Sequence, residues 1–152
     1  MHICLLVVSL SIIKTHIMKL FRSILLNEED EIDTNNLGNS WTLCDIFAEN
    51  HADDINRFHG KDGYAVLSID VDIDMVDIHN SLFALENRES ECEIVIDSQD
   101  VECRVHLVQG IEFDDSQIIK GNTGGNEFED YTTQYEGDLT KEDLIELINE
   151  FE

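Results

Sequence analysis

Proline is absent from all 152 residues. The turns must therefore be read from glycine, asparagine and aspartate. Basic side chains are also scarce. Nine Lys and Arg stand against 34 Asp and Glu, giving a formal charge of −25 and an isoelectric point near 4.2. A surface of that sign repels phosphate backbones, so direct binding of DNA or RNA is not expected. A basic partner or a cationic substrate group suits it better. Cys4, Cys44, Cys92 and Cys103 form no CxxC pair and no zinc spacing, so reduced thiols in a cytoplasm are expected. No metal is expected either. "DVDID" (70–74) lacks the glycine and closing glutamate of a calcium loop and fits the wet face of a strand. His51 and His59 show no zinc spacing.

What is present divides the chain. Residues 3–13 are apolar but too few to span a bilayer. Residues 1–17 are read as an extension outside the functional domain, with Met18 as a candidate start and a membrane anchor as the alternative. "MKLFRSILL" (18–26) reads as a strand, the early part of 41–58 as helical, and "YAVLSIDVDID" (64–74) as strand. A connection with a short helix follows (75–87). "CEIVID" (92–97) and "ECRVHLVQGIEF" (102–113) read as two strands paired in a hairpin. Residues 114–138 are acidic and rich in Gly and Asn, and read as linker. Residues 139–152 read as a helix capped by Thr140 and Asp143. Its apolar stripe either docks on the core or binds a partner. No βαβ rhythm appears, which gives an α+β fold for residues 18–113.

The stretch "RESECEIVI" (88–96) carries the chemistry. On a strand, Glu91, Glu93 and Val95 share one face, while Cys92, Ile94 and Ile96 share the core face. Adjacent carboxylates raise at least one pKa and suit acid/base work. A solvated edge is the plain alternative. Glu89 is a third acid, but Glu93 directly abuts the apolar "IVI". Arg22 lies inside the first apolar strand, where an inward cation needs an anionic partner. "GNSWT" (38–42) then places Ser40 and Thr42 on either side of Trp41.

Arg, then Ser-x-Thr, then Glu-x-Glu at the head of a late strand resembles the Arg-Ser-Glu signature of the cholera-toxin-like ADP-ribosyltransferases. Residues 18–113 resemble the small phage and bacterial members. The resemblance implies two small packed β-sheets with flanking helices around a cleft that binds NAD as substrate. It implies that Arg22 meets the phosphates or ribose of NAD and that Ser40 orients the catalytic Glu93. Thr42 would support the strand. Glu91 would hold and activate the acceptor, which a Glu-x-Glu pair marks as arginine on a basic protein. The usual Ser-Thr-Ser is Ser-Trp-Thr here, so Trp41 either stacks on a ring of the substrate or fills the core. The implied activity is mono-ADP-ribosyl transfer in the cytoplasm, that of a host if the protein is phage-encoded. A second function class fits the charge alone: a non-enzymatic acidic inhibitor that mimics nucleic acid on a basic partner.

Overall fold

The computed structural model describes residues 17–51, 63–87, 91–109, 117–124 and 140–149. Residues 1–16 of the expected extension (1–17), and most of the expected linker, lie outside them, while Ile17 opens the first strand. Six strands form one sheet: β1 (Ile17–Leu25), β2 (Ser40–Thr42), β3 (Tyr64–Asp72), β4 (Glu93–Val95), β5 (Asp100–Gln109) and β6 (Ile118–Asn122). Their order is β4-β2-β1-β3-β5-β6, and each neighbouring pair is antiparallel. Helix α1 is described over 45–51. Helices α2 (Ile78–Asn87) and α3 (Lys141–Asn149) follow. The fold is α+β, as the missing βαβ rhythm implies.

The expectation of two packed sheets is corrected. Among the described residues there is a single six-stranded sheet. β1 and β3 run together over nine register pairs, Ile17–Asp72 to Leu25–Tyr64, but β1 meets β2 at only one, Phe21–Thr42. The β2–β4 ribbon thus hangs from the main sheet by one joint. The expected hairpin is also overturned. β4 pairs with β2, while β5 pairs with β3 and β6. The turn after β4 is held by Thr123, whose Oγ1 donates to the Asp97 carbonyl at 2.8 Å and accepts from the Gln99 amide at 3.0 Å. The chain therefore leaves β4 and crosses to the far side of the sheet. Residues 118–122, read as linker, are β6 instead. The "WT" of the expected helix 41–58 belongs to β2. Helix α1 begins only at residue 45, where the Cys44 sulfur accepts the Phe47 amide at 3.4 Å.

Alternation in β1 and β3 buries both faces. Met18, Leu20, Ala65, Leu67, Ile69 and Val71 build the main core with Trp41, Leu43, Ile94 and Ile96. Leu82 and Leu85 of α2 and Leu144 and Ile148 of α3 close it. The opposite face carries a smaller cluster: Phe21, Tyr64 and Val66 under Ala48 of α1. Helix α3 has the expected cap. Asp143 accepts the Thr140 amide at 2.8 Å, and its own amide donates back to Thr140 Oγ1 at 3.4 Å. Its stripe packs against α2, so this helix docks on the protein's own core, and Lys141 adds an ion pair with Asp74. Leu144 is fully buried. Leu144→Ala should therefore lower the unfolding free energy by about 2–4 kcal/mol in urea titration. A loss below about 1 kcal/mol would mean that α3 does not complete the core.

Candidate active site

Register places the site on the smaller face. Phe21 is paired with Thr42, and Thr42 with Glu93, so these side chains share one face. Ser40, two residues from Thr42, joins them. Helix α1 covers this face, and a cavity of about 330 Å³ remains between helix and strands. That is the lower end of the range of small-molecule sites, roughly 300–1,000 Å³. Arg22, Ser40, Trp41, Thr42, Glu91 and Glu93 all line it. The six residues singled out in the sequence thus meet around one space.

Arg22 enters through the gap beside the joint between β1 and β2. Its Nη1 donates to the Ser40 carbonyl at 2.5 Å. Its guanidinium lies on the backbone of Gly38, where an added Cβ would fall 2.6 Å from Cζ and Nη2. Burial lowers its pKa to about 10, and the nearby Glu93 carboxylate opposes that shift. The group stays cationic at neutral pH. Ser40 Oγ donates to Glu93 Oε1 at 2.8 Å. Glu93 Oε2 is buried with no hydrogen-bond partner among the described residues. One acceptor of the carboxylate is thus unspent, a costly state that a ligand donor would relieve.

Glu91 and Glu93 meet the cavity by a different route from the one expected. The strand begins at Glu93, so Glu91 is not on it. Cys92 has φ of +47°, a left-handed conformation unusual for a residue with a side chain. That kink breaks the alternation but still leaves both carboxylates on the cavity and the Cys92 thiol in the core. Thr42 fixes the kink. Its Oγ1 donates to the Glu91 carbonyl at 2.7 Å and accepts the Cys44 amide at 3.0 Å. Trp41 meets both the core and the cavity. It touches the cavity, but the residue is 2% exposed and belongs to the main core. Its Nε1 donates to the Gly38 carbonyl at 2.9 Å.

Several lining residues escaped sequence reasoning. Phe47 and His51 stack at 5.5 Å between centroids with an interplanar angle of 14°, and both line the cavity. Their four-residue spacing on a helix was the available signal. Ser23 and Ala48 complete the wall, and nothing local marks them. Gly38 supports Arg22, and only its place just before "NSWT" pointed to it. Among the described residues no cluster of His, Cys, Asp and Glu could hold a metal, and no helix is long and apolar enough to cross a membrane. A comparison of the chain with protein-family models, curated proteins and solved structures finds no match in any of the three.

The thiol between the two glutamates is not a nucleophile. Burial, aided by the neighbouring Cys44, pushes the Cys92 thiol up to about 11, and burial pushes Cys103 up to about 12. Only thiolates react. Of the three described cysteines, a thiol reagent at neutral pH should label the half-buried Cys44 first, and Cys92 and Cys103 only on unfolding. Rapid labelling of Cys92 in the folded protein would contradict the burial. Both folded-state values lie above the ordinary 9.0. These thiols therefore stabilise the fold fully below pH 9, and that contribution fades as pH rises through 9 to 12.

Proposed function

We propose that the protein transfers ADP-ribose from NAD to a protein side chain, with arginine as the acceptor. The observation that carries this reading is the Ser40–Glu93 hydrogen bond beside the Arg22 guanidinium, in one cavity with Glu91. The resemblance implied that grouping of roles, and the geometry supports it.

Each residue has a task that its chemistry can perform. Arg22 is a planar, permanently charged fork suited to the phosphates of the dinucleotide. Glu93, oriented through Oε1 by Ser40, offers its other oxygen to a ribose hydroxyl. The bond between ribose C1′ and the nicotinamide nitrogen breaks, and nicotinamide leaves with the electron pair. Positive charge develops on the ribose and is stabilised by the Glu93 carboxylate. A guanidinium nitrogen of the acceptor then bonds to C1′. The proton it loses passes to Glu91, which also holds the acceptor by charge. The acidic surface favours a basic protein as acceptor. A cytoplasmic setting suits reduced thiols and intracellular NAD.

Labelled NAD incubated with the protein and a lysate tests this directly. Glu93→Gln keeps shape and removes charge, and should lower both nicotinamide release and transfer by about 10²–10³-fold. Glu91→Gln should abolish transfer to arginine while nicotinamide release to water persists. The net charge of −25 supports a second reading, an acidic inhibitor of a basic partner. No transfer and no nicotinamide release from folded protein would favour it. Its binding would then collapse as ionic strength rises past about 0.1 M.

A further inference from the structure

We propose that Gly38 is a positioning residue for Arg22, and that residues 122–124 hold Gly38 in place. The proposal rests on the reading of Arg22 as the group that meets the dinucleotide phosphates.

Three features set Gly38 apart. Its φ is +92°, where side chains are strained. The space a Cβ would occupy is filled by three atoms of the Arg22 guanidinium, at 2.6 to 2.7 Å. Its carbonyl is fixed by Trp41 Nε1 at 2.9 Å. A flat cation lying on a bare peptide is held against tilting away from Ser40, whose carbonyl it engages.

The seat is itself clamped from far along the chain. The Gly38 amide donates to the Gly124 carbonyl at 2.9 Å, and the Leu37 amide to the Asn122 carbonyl at 2.9 Å. Between them Thr123 is fully buried. Its amide donates to the Gln99 carbonyl at 2.9 Å, and its hydroxyl binds the Asp97 carbonyl. One strap therefore ties the entrance of β2 to the exit of β4. The first of these ends carries Arg22 on Gly38, and the second follows the three-residue strand that begins with Glu93.

The test reads Arg22 directly. An arginine-specific dicarbonyl reagent, followed by mass spectrometry, should modify Arg22 slowly in wild-type protein, with the exposed Arg104 as internal reference. Gly38→Ala should speed modification of Arg22 severalfold and leave Arg104 unchanged. NAD binding, followed by the emission of Trp41, the sole tryptophan, should weaken about tenfold or more. KM should rise while kcat per folded molecule holds, because phosphate binding is shared by ground and transition states. In an Arg22→Ala background, Gly38→Ala should add nothing to KM. Unchanged Arg22 labelling, or effects that simply add, would overturn the proposal. If Gly38→Ala does not fold, Trp41→Phe decides. It removes the donor to Gly38 without adding volume at position 38, and should also speed Arg22 labelling. No change there overturns the proposal. A wild-type protein that binds no NAD would sink the transferase reading. The labelling would still decide whether Gly38 holds Arg22.

Discussion

Arg22 leaves β1 beside the one register pair that joins this strand to β2, and its guanidinium takes the Ser40 carbonyl there. A buried cation is costly unless its charge is met. Here the Ser40 carbonyl, the bare peptide of Gly38 and the Glu93 carboxylate surround it. The rest of the site follows from that requirement. The single register pair between β1 and β2 lies directly beside Arg22. Glycine is needed at 38 because any Cβ would collide. Ser40 is left with its hydroxyl directed to Glu93.

The two faces of the sheet divide the work. The main face buries the long alternating runs of β1 and β3 under α2 and α3. Among the described residues, the smaller face holds four well-buried apolar residues, Phe21, Ala48, Tyr64 and Val66. It leaves a cavity where a filled layer would otherwise sit. Polar groups there are tethered by hydrogen bonds to backbone that the main core already fixes. Trp41 makes the link concrete: its ring packs in the main core while its Nε1 anchors Gly38 on the way to Arg22.

Much of this was legible in the residues themselves. The order Arg22, Ser40, Glu93 brought together groups that do share a cavity. The Thr140–Asp143 cap and the stripe of Leu144 and Ile148 marked a real helix. What stayed hidden was long-range. Alternation tells which way a side chain points but not which strand lies alongside. "CEIVID" looked ready to pair with the next strand, yet its partner is β2. The left-handed Cys92 was invisible because nothing in "SECEI" announces positive φ. β6 was hidden by composition, since "IIKGN" within an acidic, Gly-rich stretch resembles linker. Gly121 is there for contact, its missing Cβ making room for Leu37.

Charge gives the last constraint on the site. Among the described residues, Arg22 is the only Lys or Arg lining the cavity, in a chain of net charge −25. On the proposed reading, long-range fields oppose an anionic dinucleotide and favour a cationic acceptor, so its phosphates would be held by short-range geometry. A lysine would serve badly there. Its compact ammonium could meet the Ser40 carbonyl but could not also lie flat on Gly38 and present a second edge to the cavity. Its pKa is also more easily lowered by burial, whereas arginine shifted to about 10 remains charged at neutral pH. The planar fork, the glycine beneath it and the strap that fixes the glycine are thus parts of one solution to placing a single cation in an acidic protein.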